Sequence, residues 1–261
     1  MFKVGGHRPD PDNIEYNQFS SSIFGAHPPM FTKDADLRPF SSPRHNQRQT
    51  STCAAQSTIK AVEIKRIQKY GQQAHVALSV LDLYYGARDL MNPKETHIDE
   101  GTNIYLACEV LKRFGVCREE LNPFKEENIC KPTPVMATRE AYMNKINNSF
   151  RITSTGSNRV DDVITNLRMG NPVVFGTEID NSWFMYGSNS PALGPVKPED
   201  SKGGHATCLV GWVDGLFIDE NSWDIDWGDN GFAYLQPEVI AASNSTDFWV
   251  IVEGSEAWND K

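Results

Sequence analysis

The chain has 261 residues, is 39% hydrophobic and carries a formal net charge of -9, enough apolar material for one large domain or two lobes sharing an interface. That acidic balance, with no Lys/Arg run, argues against nucleic acid as a partner. No apolar stretch approaches the ~20 residues of a membrane span, which argues against a membrane-embedded chain. The start MFKVGGHRPDPDN lacks the apolar core of a signal peptide, so a cytoplasmic location is expected. Cys53, Cys108, Cys117, Cys130 and Cys208 are odd in number and form no CxxC pair. They read as reduced thiols rather than a metal site, and no metal or cofactor is expected. Cys117 and Cys130 could bridge around the NPF turn, which spacing alone does not decide.

Residues 1–45 are rich in Pro, Gly, Ser and Asn and read as an extended wrapping segment with a few short strands at most. Phe19, Ile23, Phe24, Met30, Phe31 and Phe40 are too many large apolar groups for a tail left in water. The periodicity then turns helical. A long, half-buried helix is expected from Cys53 to about Tyr70, a second over 78–91 and a third over 103–115, stopped by Gly115. A weaker, polar helix is expected over 137–148. Beyond 150 the pattern alternates. Strands are expected over 151–155 and 172–179 with a short helix at 160–170 between them, then over 205–214, 215–223, 231–236 and 247–254. A helical lobe (46–148) followed by a β-rich lobe (149–261) is an α+β arrangement, with chemistry expected in a cleft between them.

Cys53 follows Thr50, Ser51 and Thr52, all able to cap a helix, and so sits on a first turn. Free N–H groups and the positive end of the helix dipole there favour a thiolate. A base must hold its proton. His7, His27, His45, His75 and His97 fall in loops or on polar faces and read as solvated, whereas His205 follows Gly203-Gly204 and opens an apolar strand. An imidazole base needs its second nitrogen held. Asn221, in NSW at 221–223, can accept that N–H while Trp223 shields the bond, although an Asn at a strand end is also ordinary. An oxyanion needs donors: the Cys53 N–H is one, and Gln47, Gln49 and Gln56 compete to be the other.

Taken together, Gln47, Cys53, GGHA at 203–206 and NSW…WGDNGF at 221–232 resemble the papain family of cysteine peptidases, in which Gln, Cys, His and Asn follow in that order. The family places His and Asn roughly 130–150 residues after the Cys, and His205 lies slightly beyond. DLRPFSSPRHNQ, LYYGARDL, DEGTNIYLACEVLKRFGV and GNPVVFGTEI are similar to further family segments, so the resemblance covers most of the chain. It implies a two-lobe fold with a β-barrel-like second lobe, and a cysteine-type peptidase working through a thioester. By it, Cys53 is the nucleophile, His205 the base and then acid, Asn221 the orienter, Gln47 the oxyanion donor and Trp223 the roof.

Three departures stand out. Thr50 replaces a disulfide cysteine, Ser51-Thr52 replaces Gly-Ser, and Ala54 replaces an aromatic. They resemble non-secreted bacterial and viral relatives, and they put the detailed pocket in question. Residues 1–45 are too short for the long propeptide of secreted members, so a cleft-covering or self-cleaved segment is one expectation for regulation. The implied cleft includes Gly101, Thr102, Phe175, Gly176, Glu178 and Gly204. Glu178 and Asp180 read most simply as solvated acids, though acids there could favour a basic substrate residue. The stretch 181–203, with Trp183, Phe184 and Tyr186, reads as a lid or an adaptor for a partner protein. The expected substrate is a protein or peptide. The alternatives are another amide (peptidoglycan or a deamidation target) and a catalytically silent binding module.

Overall fold

A computed structural model of the chain describes residues 3–19 and 34–253, so the expectations for Ile23, Phe24, His27, Met30 and Phe31 lie outside the described residues. The short strands β1 (Asn17–Gln18) and β2 (Ala35–Asp36) come first, then α1 (Cys53–Tyr70), α2 (Val80–Met91), α3 (Ile104–Arg113) and α4 (Val135–Ala141). The second half runs β3 (Asn148–Ile152), α5 (Gly156–Arg168), β4 (Val173–Ile179), α6 (Asn181–Phe184), β5 (Gly203–Val213), β6 (Leu216–Glu220), β7 (Phe232–Leu235), α7 (Pro237–Ala241) and β8 (Ser245–Val252). The strands form one sheet in the order β1-β3-β8-β4-β5-β6-β7, with β2 also pairing with β5. Among the described residues the edge strands β1 and β7 do not meet, so the sheet is unclosed, in keeping with the α+β fold that the resemblance implied.

Helix boundaries follow the local chemistry. Ser79 caps α2 by accepting from Asp82 N, and Asn103 caps α3 by accepting from Leu106 N. Gly115 ends the third helical stretch at φ 75°, and a Cβ there would sit 2.0 Å from Ala141 O. The fourth helix is shorter than its sequence suggested and gives way to a 3-10 turn at Tyr142–Asn144. Chain after it joins the sheet at Asn148, because pairing of Asn148–Ile152 with Phe248–Val252 outweighs weak helix propensity. All five cysteines are unpaired, so no bridge joins Cys117 to Cys130.

The first helix is more deeply buried than a half-buried surface helix. Every residue from Cys53 to Ile64 is buried, including Lys60 and Glu63, because α1 packs against α2 and α3 on one side and β4 and β5 on the other. Buried charges there need partners. Lys60 Nζ donates to Ser42 O, Ser42 Oγ and Pro43 O and pairs with Glu220 at 3.1 Å. Glu63 accepts from Leu78 N and faces His45 at 3.3 Å and His75 at 3.5 Å. Burial alone would raise the Glu63 carboxyl, yet those imidazoles and Lys60 carry it well below the ordinary range.

Asp219 is a contrast. It is fully buried on β6 with no ion-pair partner among the described residues. Burial, opposed by a Thr207 hydrogen bond and reinforced by Glu220, raises its carboxyl to about 8. Between the unfolded value of 3.8 and about 8 the unfolded chain sheds a proton that the folded chain keeps, so stability falls as pH rises through that window. Asp219→Asn removes this slope. Thermal denaturation at acidic and mildly alkaline pH should show the variant gaining Tm over the parent chain as pH rises.

Candidate active site

Cys53 opens α1, and Thr52 before it makes no side-chain capping bond. Thr50 Oγ1 bonds Gln47 O and Thr52 Oγ1 instead. The hydroxyls expected to cap are thus turned inward, and the first-turn N–H groups of Cys53 and Ala54 reach the sulfur. A third N–H arrives from β5, that of Ala206. His205, its neighbour, is carried by the same strand, which packs against α1.

Across β4 and β5 the register pairs Thr177 with His205 and Gly176 with Ala206. His205 Nε2 donates to Asn221 Oδ1 at 2.8 Å. An amide oxygen only accepts, so Nε2 carries the proton and Nδ1 keeps its lone pair. Nδ1 is buried with no hydrogen-bond partner. Asn221 Oδ1 also accepts from Ser222 N, which fixes the amide's direction. Trp223 stacks on the imidazole with centroids 4.7 Å apart, and Phe184 stacks on Trp223 at 5.5 Å. Trp183 meets His205 edge-on at 6.4 Å. The sequence placed Trp183 in a stretch read as a lid or adaptor, not in the site. Its place depends on the loop folding back, where Trp227 Nε1 donates to Trp183 O.

The electrostatics differ from those of an isolated helix start. Burial pushes the Cys53 thiol up to about 12, although the N–H groups of Ala206, Ala54 and Cys53 oppose it. Burial also lowers His205 to about 4, opposed by the Asn221 bond and reinforced by His7. Burial thus favours the neutral thiol and the neutral imidazole, not the thiolate expected from helix position alone. Water that would solvate the ions is excluded, and both residues are 0% exposed.

The cover is residues 3–8. Gln47 Nε2 donates to Lys3 O at 3.1 Å, Gly5 N donates to Gly204 O, Thr102 N donates to Gly6 O, and Arg8 N donates to Thr102 O. Lys3 Nζ is tied to Asp99 at 2.7 Å, and Asp99 also accepts from Ser51 N and Tyr84 Oη. The segment crosses the groove as an added strand, bonded to the helical side through Thr102 and to the sheet through Gly204. Its fit is close. A Cβ on Gly6 would sit 2.6 Å from Ser51 O, and one on Gly101 2.1 Å from Gly6 O.

Gln47 is fully buried, and its Oε1 accepts from Ser222 Oγ. Gln49 is exposed, and Gln56 Nε2 points back to Thr52 Oγ1, so of the three glutamines Gln47 presents its amide to a carbonyl in the groove. Gly101, Thr102, Gly176 and Gly204 all border residues 3–8. Phe175 is directed elsewhere. Strand alternation puts Gly176 and Glu178 on the groove face and Phe175 on the other, stacked on Phe248 at 5.1 Å. The Glu178 carboxylate accepts from the Ser201 hydroxyl, and Asp180 caps α6 through Ser182 N, so neither is a free solvated acid. In 181–203, Trp183, Tyr186, Leu193 and Val196 are buried against the sheet lobe.

His7 overturns its sequence reading. It is 7% exposed, with its ring in the groove wall and Nε2 3.1 Å from Asp247 Oδ2. The flanking GG and RPD suggest only turns, so no local signal marked it. The other loop histidines divide: His45 and His75 are half-buried on Glu63, while His97 is exposed.

Residues 32–249 match the family model described as papain family cysteine protease. An uncharacterized peptidase C1-like protein of Acanthamoeba polyphaga mimivirus is 29% identical over 80% of this chain and 69% of its own length. Among solved structures, xylellain, a cysteine protease from Xylella fastidiosa, superposes with a TM-score of 0.82 at 26% identity, covering 97% of each chain. The procathepsin B S9 structure from Trypanosoma congolense shares the fold at a TM-score of 0.71 and 16% identity, covering 97% of this chain and 87% of that one. Among the described residues, no helix is long and apolar enough to cross a membrane. With a family match spanning most of its length and a groove built between helix start and strand, the chain belongs to the papain family of cysteine peptidases.

Proposed function

We propose that Cys53, His205, Asn221 and Gln47 hydrolyse peptide bonds, and that residues 3–8 hold the chain in a covered, latent state. One observation carries the catalytic reading. The imidazole whose Nε2–H is held by Asn221 has its free Nδ1 in the residue next to the N–H that reaches the Cys53 sulfur. In the reaction Nδ1 takes the thiol proton as the sulfur attacks the substrate carbonyl carbon. Negative charge passes to the carbonyl oxygen, held by the Gln47 amide and the Cys53 N–H. The imidazolium then protonates the leaving amine as the C–N bond breaks, leaving a thioester. A water that gives its proton to Nδ1 attacks the thioester, and the sulfur departs with that proton returned.

The covered state follows from the same contacts. Lys3 O lies on the Gln47 amide, where a substrate oxygen would go, and the excluded water keeps both catalytic groups neutral. Residues 3–8 thus give the N-terminal segment its regulatory part, ahead of a proposed helical lobe over 46–148 and β-rich lobe over 149–261. Five unpaired thiols suit a reducing cytoplasm. Met185, 82% exposed, is the apolar group that 181–203 would offer to a partner protein.

Gly6→Val in the full chain should lift the cover, since any side chain at this position meets Ser51 O. Casein hydrolysis and labelling by an epoxide-type thiol inhibitor should each rise at least tenfold over the parent chain. Cys53→Ala in the same background should abolish both. Labelling without proteolysis would move the substrate to another amide, and absence of labelling would leave a binding module. In the uncovered background Gln47→Ala should lower kcat by about a hundredfold with little change in KM, as expected when a donor acts on the transition state. Steady-state kinetics on a single peptide would measure it.

A further inference from the structure

A second pocket lies on the sheet side of the molecule, apart from the groove. It encloses about 260 Å³ between Tyr16, the end of β3, Arg159 of α5 and the start of β8. Asp247 separates it from the groove. Its Oδ2 faces His7 at 3.1 Å, whereas its Oδ1 accepts from Arg151 Nη2 at 2.8 Å. Gly176 and Gly204, which meet His7 in the groove wall, do not line this pocket.

Two guanidinium groups line it with donors to spare. Arg159 is 9% exposed. Its Nε donates to Ser154 O, and its Nη1 is shared among Ile240 O, Ala242 O and Ser245 O. Among the described residues every acceptor it meets is thus a backbone carbonyl, and Asp247 acts on it only through space. Its Nη2 donates to none of the described residues. Arg151 spends Nη2 on Asp247 and holds Nε 3.9 Å from Asp10, while its Nη1 likewise donates to none of the described residues. Neither spare nitrogen is sealed from solvent. Aromatic rings cover the guanidinium faces, with Phe248 4.9 Å from Arg159 Cζ and Tyr16 5.2 Å from Arg151 Cζ, so the open directions are N–H edges.

The lining also carries one positive charge in excess. Arginine stays protonated in proteins. Burial alone would raise the Asp247 carboxyl, but His7, Asp10 N and Arg151 carry it below its ordinary value, so it is a carboxylate. Two guanidinium groups then face one carboxylate. Asp10 does not line the pocket, being held behind Arg151 by Trp249 Nε1 and Tyr105 N. The nearby hydroxyls are already committed, Ser154 Oγ to Asp162 and Thr246 Oγ1 to Asp247. Unspent guanidinium edges are the strong donors for an oxyanion, and a single excess charge is matched by a monoanion.

We propose that this pocket is an anion site outside the groove, that it binds an organic monocarboxylate, and that Arg159 Nη2 and Arg151 Nη1 hold the carboxylate. The apolar body of the ligand lies against the Tyr16 ring. A free small acid and the C-terminal carboxylate of a peptide present the same chemistry to the two arginines. The site is independent of the peptidase reading, because it shares no residue with Cys53, His205, Asn221 and Gln47.

Fluorine NMR of 4-fluorobenzoate with the full chain, at constant ionic strength, tests this. The acid should broaden saturably and its neutral isostere 4-fluorobenzamide should not. Arg159→Gln should weaken binding at least tenfold. Because Arg159 also holds four backbone carbonyls, Thr153→Glu is the second variant: it adds a carboxylate from the pocket's own lining and should abolish binding with the near-UV circular dichroism unchanged. Competition separates the two sources. Displacement by N-acetylphenylalanine at lower concentration than benzoate assigns a peptide C-terminus, and the reverse order assigns a free acid. Equal broadening of the amide, binding untouched by Thr153→Glu, or displacement by inorganic phosphate at lower concentration than either acid overturns the proposal.

Discussion

The site depends on keeping water away from Cys53 and His205, both 0% exposed. A helix start supplies N–H groups to Cys53, and a strand supplies one more together with His205, but in a dry groove these dipoles do not outweigh desolvation. The thiol stays protonated and the imidazole neutral. The segment over the groove thus bears on the electrostatics of both groups as well as on access to them. The same six-residue stretch occupies the Gln47 amide through Lys3 O and packs Gly6 against Ser51.

The start of α1 is enclosed because the helix lies between α2 and α3 on one side and β4 and β5 on the other. A helix in that position is buried nearly all round for three turns, and so its polar residues must be answered from elsewhere. Lys60 is answered by Glu220 and the Ser42–Pro43 carbonyls, Glu63 by His45, His75 and Leu78 N. Several of these partners, His45, Ser42 and Pro43, lie on the approach to Gln47. The buried ion pairs thus tie the loop that leads to Gln47 to α1. Replacing one partner alone would leave an uncompensated charge beside the site.

Much of this arrangement could be read from residues alone. Apolar spacing located α1, α2 and α3 to within a few residues, alternation located β4 through β8, and the order Gln47, Cys53, His205, Asn221 identified a family. Local rules were misleading where a long-range partner decided the outcome. Thr50 and Thr52 have the chemistry of caps, yet bond to each other and to Gln47. His7 sits among turn formers, yet it is held by Asp247 from the far end of the chain. Phe175 belongs to a cleft strand, yet strand alternation turns its ring onto Phe248.

The sequence by itself determined which groups can do chemistry and which elements carry them, because helix and strand periodicity and residue type are local properties. Only the tertiary structure decided that residues 3–8 fill the groove, that Trp183 closes over His205, and that Asp247 lies beneath His7. Those contacts join residues far apart in the chain, and the free energy that selects them comes from burial and charge pairing. Neither exists until the two halves have come together.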